Sequence, residues 1–281
     1  MAISTDILTS YKKIDEAYID SLLEKEIEKN HKKIVVLDDD PTGVQTVHDI
    51  SVYTGWDKDS IRQGFEEENS LFYVLTNSRG FTEEQTIKAH HEISAVTDEA
   101  AKATGKEYIY ISRSDSTLRG HYPLETELLK ADYEKYTGKT VDGEILCPFF
   151  KEGGRFTINN VHYVKYGDTL VPANETEFAK DKTFGYTAAD LPSYVEEKTK
   201  GAYKKEDVTC ISLEDIHDMA VDRIEEQLLA VKDFNKIIVN AVDYADIKVF
   251  CVALYRAMAK GKTFMMRTAA AIVKVMGGVT S

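Results

Sequence analysis

Ile34-Val35-Val36-Leu37-Asp38-Asp39-Asp40-Pro41-Thr42-Gly43 is an apolar, β-branched run that stops abruptly at three acids, a proline and a glycine. Four consecutive apolar residues cannot alternate between core and solvent. The run therefore predicts a strand buried on both faces, with the acids marking its carboxyl end. Similar runs recur at Leu71–Leu75, Tyr108–Ile111, Glu144–Cys147, Val208–Ile211 and Lys236–Val239. Amphipathic stretches at helical spacing lie between several of them: Glu83–Ala103, Leu124–Tyr136, Leu213–Val231 and Tyr244–Ala259. Strands alternating with helices predict an α/β fold, a mostly parallel sheet in three layers with helices on both faces. Two segments depart from this pattern. Arg155–Tyr166 alternates and meets a turn signal at Tyr166-Gly167-Asp168, which predicts a β-hairpin insertion. Residues 1–30 place Ile14, Tyr18, Leu22 and Leu23 at helical spacing among Glu and Lys. They are expected to form an N-terminal helical extension used for packing or for making a homo-oligomer, with residues 31–281 as one domain.

Open parallel sheets bind ligands beyond the carboxyl ends of their strands. The residues just past each apolar run are therefore informative. Asp38-Asp39-Asp40-Pro41-Thr42-Gly43 succeeds the first run and Thr76-Asn77-Ser78-Arg79-Gly80 the second. Ser112-Arg113-Ser114-Asp115-Ser116-Thr117-Leu118-Arg119-Gly120 succeeds the third, and Asn240-Ala241-Val242-Asp243 comes after Lys236–Val239. Four polar clusters are thus expected on one edge. Arg79, Arg113 and Arg119 can grip a carboxylate or phosphate through forked hydrogen bonds. Asp39, Asp40 and Asp115 can accept hydrogen bonds from sugar hydroxyls or deprotonate one. Ser116, Thr117 and Gly120 are expected near the start of a helix, whose free N–H groups favour an anion. A small molecule with one carboxylate and several hydroxyls would satisfy this set. Each feature also has a plainer explanation: the acids as helix caps, Arg79 paired with a neighbouring Glu, His121 and His162 as surface or core-edge residues.

Composition narrows the classes. With 281 residues the chain can bury a large core, and its net charge of −13 disfavours nucleic-acid binding, which needs phosphate-neutralising Lys and Arg. No apolar run approaches the roughly 20 residues of a membrane span, and no basic-then-apolar signal pattern opens the chain, so no membrane partner and a cytoplasmic location are expected. Cys147, Cys210 and Cys251 form no metal-binding spacing and are expected to be reduced thiols.

The motif residues resemble the four-carbon acid sugar kinase family. Asp39-Asp40-Pro41-Thr42-Gly43 is similar to that family's Asp-Asp-x-Thr-Gly loop, and Thr76-Asn77-Ser78-Arg79 to an element ending in Ser-Arg. Arg113-Ser114-Asp115-Ser116-Thr117-Leu118-Arg119-Gly120 fits Lys-x-Asp-Ser-Thr-x-Arg-Gly, with Arg113 in place of Lys. Pro148-Phe149-Phe150-Lys151-Glu152-Gly153-Gly154-Arg155 resembles Pro-x-x-x-x-x-Gly-Arg. The resemblance runs from about residue 33 to the end of the chain. It implies the sugar-acid-binding half of a kinase that phosphorylates threonate- or erythronate-type acids with ATP and Mg²⁺. Catalytic roles would fall to Asp39, Asp40 and Asp115. The substrate-binding set would be Thr42, Gly43, Asn77, Ser78, Arg79, Arg113, Ser116, Thr117, Arg119, Gly120 and Arg155, with Arg79 and Arg119 on the carboxylate. No G-x-x-x-x-G-K-S/T loop is present. The nucleotide-binding C-terminal domain is thus expected to be absent from the chain and supplied by a partner domain or subunit, and the chain alone to be inactive.

Two rivals remain. A haloacid-dehalogenase-type phosphatase would use Asp38 as nucleophile and Asp40 as general acid around Mg²⁺, with Thr76, Asp243 and Asp246 as later elements. A non-enzymatic hydroxy-acid-binding protein would need only the pocket.

Overall fold

The computed structural model describes residues 1–40 and 50–278; Pro41, Thr42 and Gly43 lie outside them. Among the described residues one sheet holds eight strands, all parallel. In spatial order they are β10 (Thr209–Ile211), β11 (Asn235–Val239), β6 (Gly143–Cys147), β12 (Phe264–Thr268), β5 (Tyr108–Arg113), β2 (Lys33–Asp38), β4 (Leu71–Leu75) and β3 (Val52–Tyr53). The six expected runs are all strands of this sheet. β3 and β12 are additional.

The continuous apolar runs follow from cover on both faces. Ile34, Val36, Ile111, Ile145 and Met266 face one layer, made of α1 (Glu16–Lys29), α7 (Val221–Ala230), α8 (Tyr244–Ala259) and α9 (Ala270–Met276). Val35, Leu37, Tyr110 and Met265 face the other, made of α2 (Lys58–Glu66), α3 (Glu83–Thr104) and α4 (Leu124–Thr137). Leu146 and Ile238 extend that second face under α5 (Leu191–Lys198). The stretch expected as one helix over Leu213–Val231 is two, α6 (Leu213–His217) and α7, because Met219 adopts a φ of 53° between them.

A second, antiparallel sheet is larger than the expected hairpin. β7 (Arg155–Ile158) and β8 (Val161–Tyr166) join through Asn159-Asn160, both at positive φ as a tight hairpin turn requires. β9 (Thr169–Pro172) pairs with β8, and β1 (Ile3–Ser4) pairs with β9. The N-terminal segment is therefore α-helical only over Glu16–Lys29, with a short 3-10 helix over Thr5–Thr9. Its first residues belong to this small sheet, and Ile19 and Leu23 are buried in the main core. The small sheet lies across the carboxyl edge of the large one. Thr157 and Ala241 exchange backbone hydrogen bonds of 3.0 Å, and Asn240 bonds both the backbone N–H of Asn160 and its side chain.

One interior charge pair stands apart. Lys236 and Glu144 are register partners on β11 and β6, and both side chains are fully buried. Their charged atoms are 3.6 Å apart, and the Lys236 ammonium also sits 3.5 Å from the Phe234 ring centroid and 4.0 Å from that of Tyr203. Burial pulls the Lys236 pKa down against the attraction of Glu144. Cys147 and Cys251 are buried and Cys210 half-buried, all as free thiols. Among the described residues no helix is long and apolar enough to cross a membrane.

Candidate functional site

Strand order decides which loops meet. From β2 the chain crosses toward β3 at one edge, and from β5 it runs toward β6 on the other side, which puts a topological switch point at their carboxyl ends. Asp39 donates its backbone N–H to the Arg113 carbonyl at 3.2 Å, Arg79 to the Asp39 carbonyl at 3.3 Å, and Ser114 to the Thr268 carbonyl at 2.8 Å. The loops after β2, β4 and β5 thus converge, joined by the end of β12. The fourth expected loop does not. Asn240–Asp243 follows β11, separated from β5 by β6 and β12, where Asn240 holds the hairpin turn and Asp243 caps α8.

Arg79 organises the acidic cluster. Its Nη2 donates to Asp39 Oδ1 at 2.6 Å and its Nη1 to Asp40 Oδ2 at 2.6 Å. Burial outweighs the opposing Arg79 and Arg267 charges and, together with the Glu125 carboxylate, pushes Asp39 up to about 7. Asp115 behaves oppositely. Burial works against its charge, but hydrogen bonds from Arg119 Nε at 2.6 Å and from the Thr117 hydroxyl, with the Arg119 and Arg79 charges, hold its pKa below the ordinary carboxylate range. Arg113 pairs with Asp38 at 2.9 Å, and the Asp38 side chain is fully buried. Arg113 therefore neutralises an interior carboxylate instead of gripping a ligand. Ser78 is likewise buried and donates to Glu125, while Asn77 is exposed in a left-handed conformation that starts the turn carrying Arg79.

The 114–120 loop is clamped from outside. His162, Tyr186 and Tyr194 hydrogen-bond the carbonyls of Ser116, Thr117 and Leu118 at 2.7, 3.0 and 3.0 Å. The helix expected near Ser116 begins only at Leu124, so Ser116, Thr117 and Gly120 sit in a strained loop, with Leu118 at φ 71° and Gly120 at φ 123°. A β-carbon on Gly120 would stand 2.6 Å from Arg267 Nη2 and 2.9 Å from Asp39 Oδ2. Gly120→Ala is accordingly expected to cost about 2 kcal/mol of unfolding free energy, measurable by urea denaturation; an unchanged midpoint would show that the loop relaxes freely.

The hairpin brings the last expected residue. Arg155, at the start of β7, and Arg119 lie with their guanidinium carbons 5.4 and 5.1 Å from the Phe178 ring centroid. Arg119 is paired with Asp115. Arg155 makes no ion pair among the described residues: its Nη1 donates to the Gly153 carbonyl and its Nε is buried without a hydrogen-bond partner. Burial lowers the Arg155 pKa, opposed by Asp115. Sequence reasoning missed Arg267, Glu125 and Phe178, and took His162 for a surface or core-edge residue where the structure buries it under the motif loop. Of these, His162 had a local signal, an inward position in an alternating strand.

Volume alone does not locate the site. A cleft of about 650 Å³ lies at the amino edge among Lys29, Lys32, Glu107 and Lys139, where opposite charges already offset one another. The cavity between Asp115 and Arg267 is about 20 Å³, room for a water molecule and no more. A ligand would therefore sit on the outer face, where Asp40, Arg79, Asp115 and Arg119 side chains are 23%, 20%, 11% and 29% exposed. The phosphatase set is not assembled: Asp38 is sealed by Arg113, while Asp243 and Asp246 form the capping box of α8. Among the described residues no group of three or more His, Cys, Asp or Glu is placed to hold a metal ion.

A family model described as a sugar-binding N-terminal domain matches residues 34–276. Two solved structures share the fold. A Haemophilus influenzae protein assigned to DUF1537 superimposes with a TM-score of 0.61 at 16% identity, over 86% of this chain and 55% of its own. A Salmonella typhimurium LT2 protein named as a candidate tRNA synthase gives 0.56 at 14% identity, over 88% and 55%. The chain thus spans about half the length of either. No curated protein matches it.

Proposed function

Because the chain belongs to the family of sugar-binding N-terminal domains, we propose that its carboxyl-edge crevice binds a four-carbon sugar acid and that it acts as the acceptor-binding half of a sugar-acid kinase. The observation that carries this reading is the Arg119–Phe178–Arg155 stack beside Asp115. A guanidinium without a carboxylate partner among the described residues, held over a ring next to a second guanidinium, is matched by an external anion. The ligand carboxylate fits there. Its hydroxyls reach Asp115 and Asp40, with Asp39 behind them. Arg79 acts by fixing two carboxylates and leaves the ligand's own charge to Arg119 and Arg155. The motif resemblance supports the four-carbon acid class.

Catalysis of phosphoryl transfer rests on positioning and charge neutralisation at the phosphoryl group. ATP and Mg²⁺ would come with a partner domain or subunit, the counterpart of the length this chain does not share with its structural neighbours. The chain alone is expected to bind without turnover. Calorimetry against a panel of four-carbon sugar acids tests the first half. One acid should bind, and Arg155→Ala should weaken it about 30-fold, the loss of one charged hydrogen bond worth about 2 kcal/mol. Binding that is equally strong for the neutral sugar alcohols, or unchanged in Arg155→Ala, would overturn the reading. Turnover on adding a nucleotide-binding domain of the same family tests the second half.

A further inference from the structure

Behind the ligand-facing carboxylates lies a layer of charge that ligand binding does not explain. Glu125 of α4 and Arg267 of β12 have side chains only 2% and 8% exposed and form an ion pair through Arg267 Nη1. The same nitrogen donates to Ser112 Oγ at 2.8 Å. The Ser78 hydroxyl donates to Glu125, and His90 Nε2 of α3 stands 3.8 Å from it. Arg267 Nη2, in contrast, is buried and has no hydrogen-bond partner among the described residues. It reaches the same point as Asp39 Oδ2, the place a Gly120 side chain would occupy. A buried pair of this kind contributes little stability over apolar replacements, so its placement against one carboxylate calls for another role.

We propose that Glu125 and Arg267 form a positioning pair that sets the charge and orientation of Asp39, so that it can take a hydrogen bond or a proton from a ligand hydroxyl. The ligand part rests on the sugar-acid reading; the positioning itself does not. The pair acts through charge at close range. Glu125 opposes ionisation of Asp39 while Arg79 and Arg267 favour it, and burial tips the balance upward. Glu125 stays ionised, because Arg267, His90 and Ser78 outweigh its burial. The other charges around Asp39 are accounted for: Asp40 shares Arg79, Asp38 is closed by Arg113, and burial lowers the His90 pKa despite the Glu125 charge.

The test is a carbon-13 NMR titration of aspartate carboxyls in the unliganded protein, with Asp39→Asn assigning the signal. Asp39 should titrate about three pH units above a free aspartate. Glu125→Gln should lower that midpoint by at least one unit, Arg267→Gln should raise it by a similar amount, and Arg267→Lys should restore it. The double variant Glu125→Gln/Arg267→Gln leaves no unpaired charge from the pair and is the safest to fold. It should also lower the midpoint, by less, because Glu125 acts on Asp39 more strongly than Arg267 does. A midpoint near 4 in the unsubstituted protein, or one that the double variant leaves unmoved or raises, overturns the proposal. Failure of every sugar acid to bind would sink the functional reading and leave this titration intact.

Discussion

Glu144→Gln is expected to lose about 3–5 kcal/mol of stability at neutral pH, the usual cost of stripping one partner from a buried ion pair. The side chain keeps its shape, so the loss reports charge and not volume. Lys236 would be left with the Phe234 and Tyr203 rings and the charge of Glu127. Its escape is to fold unprotonated, which from an ordinary lysine costs about 4.6 kcal/mol at pH 7 and so caps the damage. That escape has a signature. An ammonium neutral in the folded state and charged in the unfolded one makes the unfolded chain bind the extra proton. Stability of the variant should therefore rise with pH up to about 10. Glu144→Leu with Lys236→Met should return to within about 1–2 kcal/mol of the parent, since apolar replacement removes the desolvation cost of both charges. Urea unfolding at pH 7 and 9 measures all three. A Glu144→Gln protein as stable as the parent would mean that Lys236 is already neutral.

Acidification from pH 6.5 to 4 is expected to remove about 3 kcal/mol of stability through His162. The ring is buried, with its two nitrogens bonded to Thr157 and the Ser116 carbonyl, and burial drives its pKa down to about 4. The geometry suits a neutral ring: Nε2–H donates to the carbonyl and Nδ1 accepts from the hydroxyl. Between pH 6.5 and 4 the unfolded chain carries a proton that the folded one refuses, so stability falls as the pH drops through that window. Asp39 works the other way. Its raised pKa makes the folded state the better proton binder between about 7 and 3.9, which offsets part of the loss. Comparison with His162→Gln isolates the imidazole. The difference between the two unfolding free energies should shrink by about 3 kcal/mol from pH 7 to 4, and a constant difference would remove His162 as its source. Because His162 holds the Ser116 carbonyl, sugar-acid affinity should weaken only as the folded ring takes up its proton, around pH 4 and below.

The central strands were legible because cover on both faces leaves a local trace. Ile34–Leu37 and Leu71–Leu75 cannot be amphipathic if both sides are buried. β12 left no such trace. Phe264-Met265-Met266-Arg267-Thr268 is poor in β-branched residues and carries an arginine whose burial depends on Glu125, far away in sequence. Missing β12 also misplaced the loop after β11, since strand order is a property of pairing that no single segment encodes. The acids and arginines of the motif loops were readable, but not their division of labour. Arg79, Arg113 and Arg119 look alike in a sequence. Only packing shows that Arg113 is consumed by Asp38, that Arg79 binds two acids, and that Arg155 has no ion pair among the described residues.

The pairing of Ile3 with Leu170 fixes an order of assembly. As the chain leaves the ribosome, β1 emerges before β9 and has nothing to pair with until β9 has been made, after four central strands of the large sheet have already appeared. Closing so long a loop is slow, and contacts of this span form late. The β1–β9 edge of the small sheet should therefore close after its β7–β8 hairpin, the strand pair that bears Arg155.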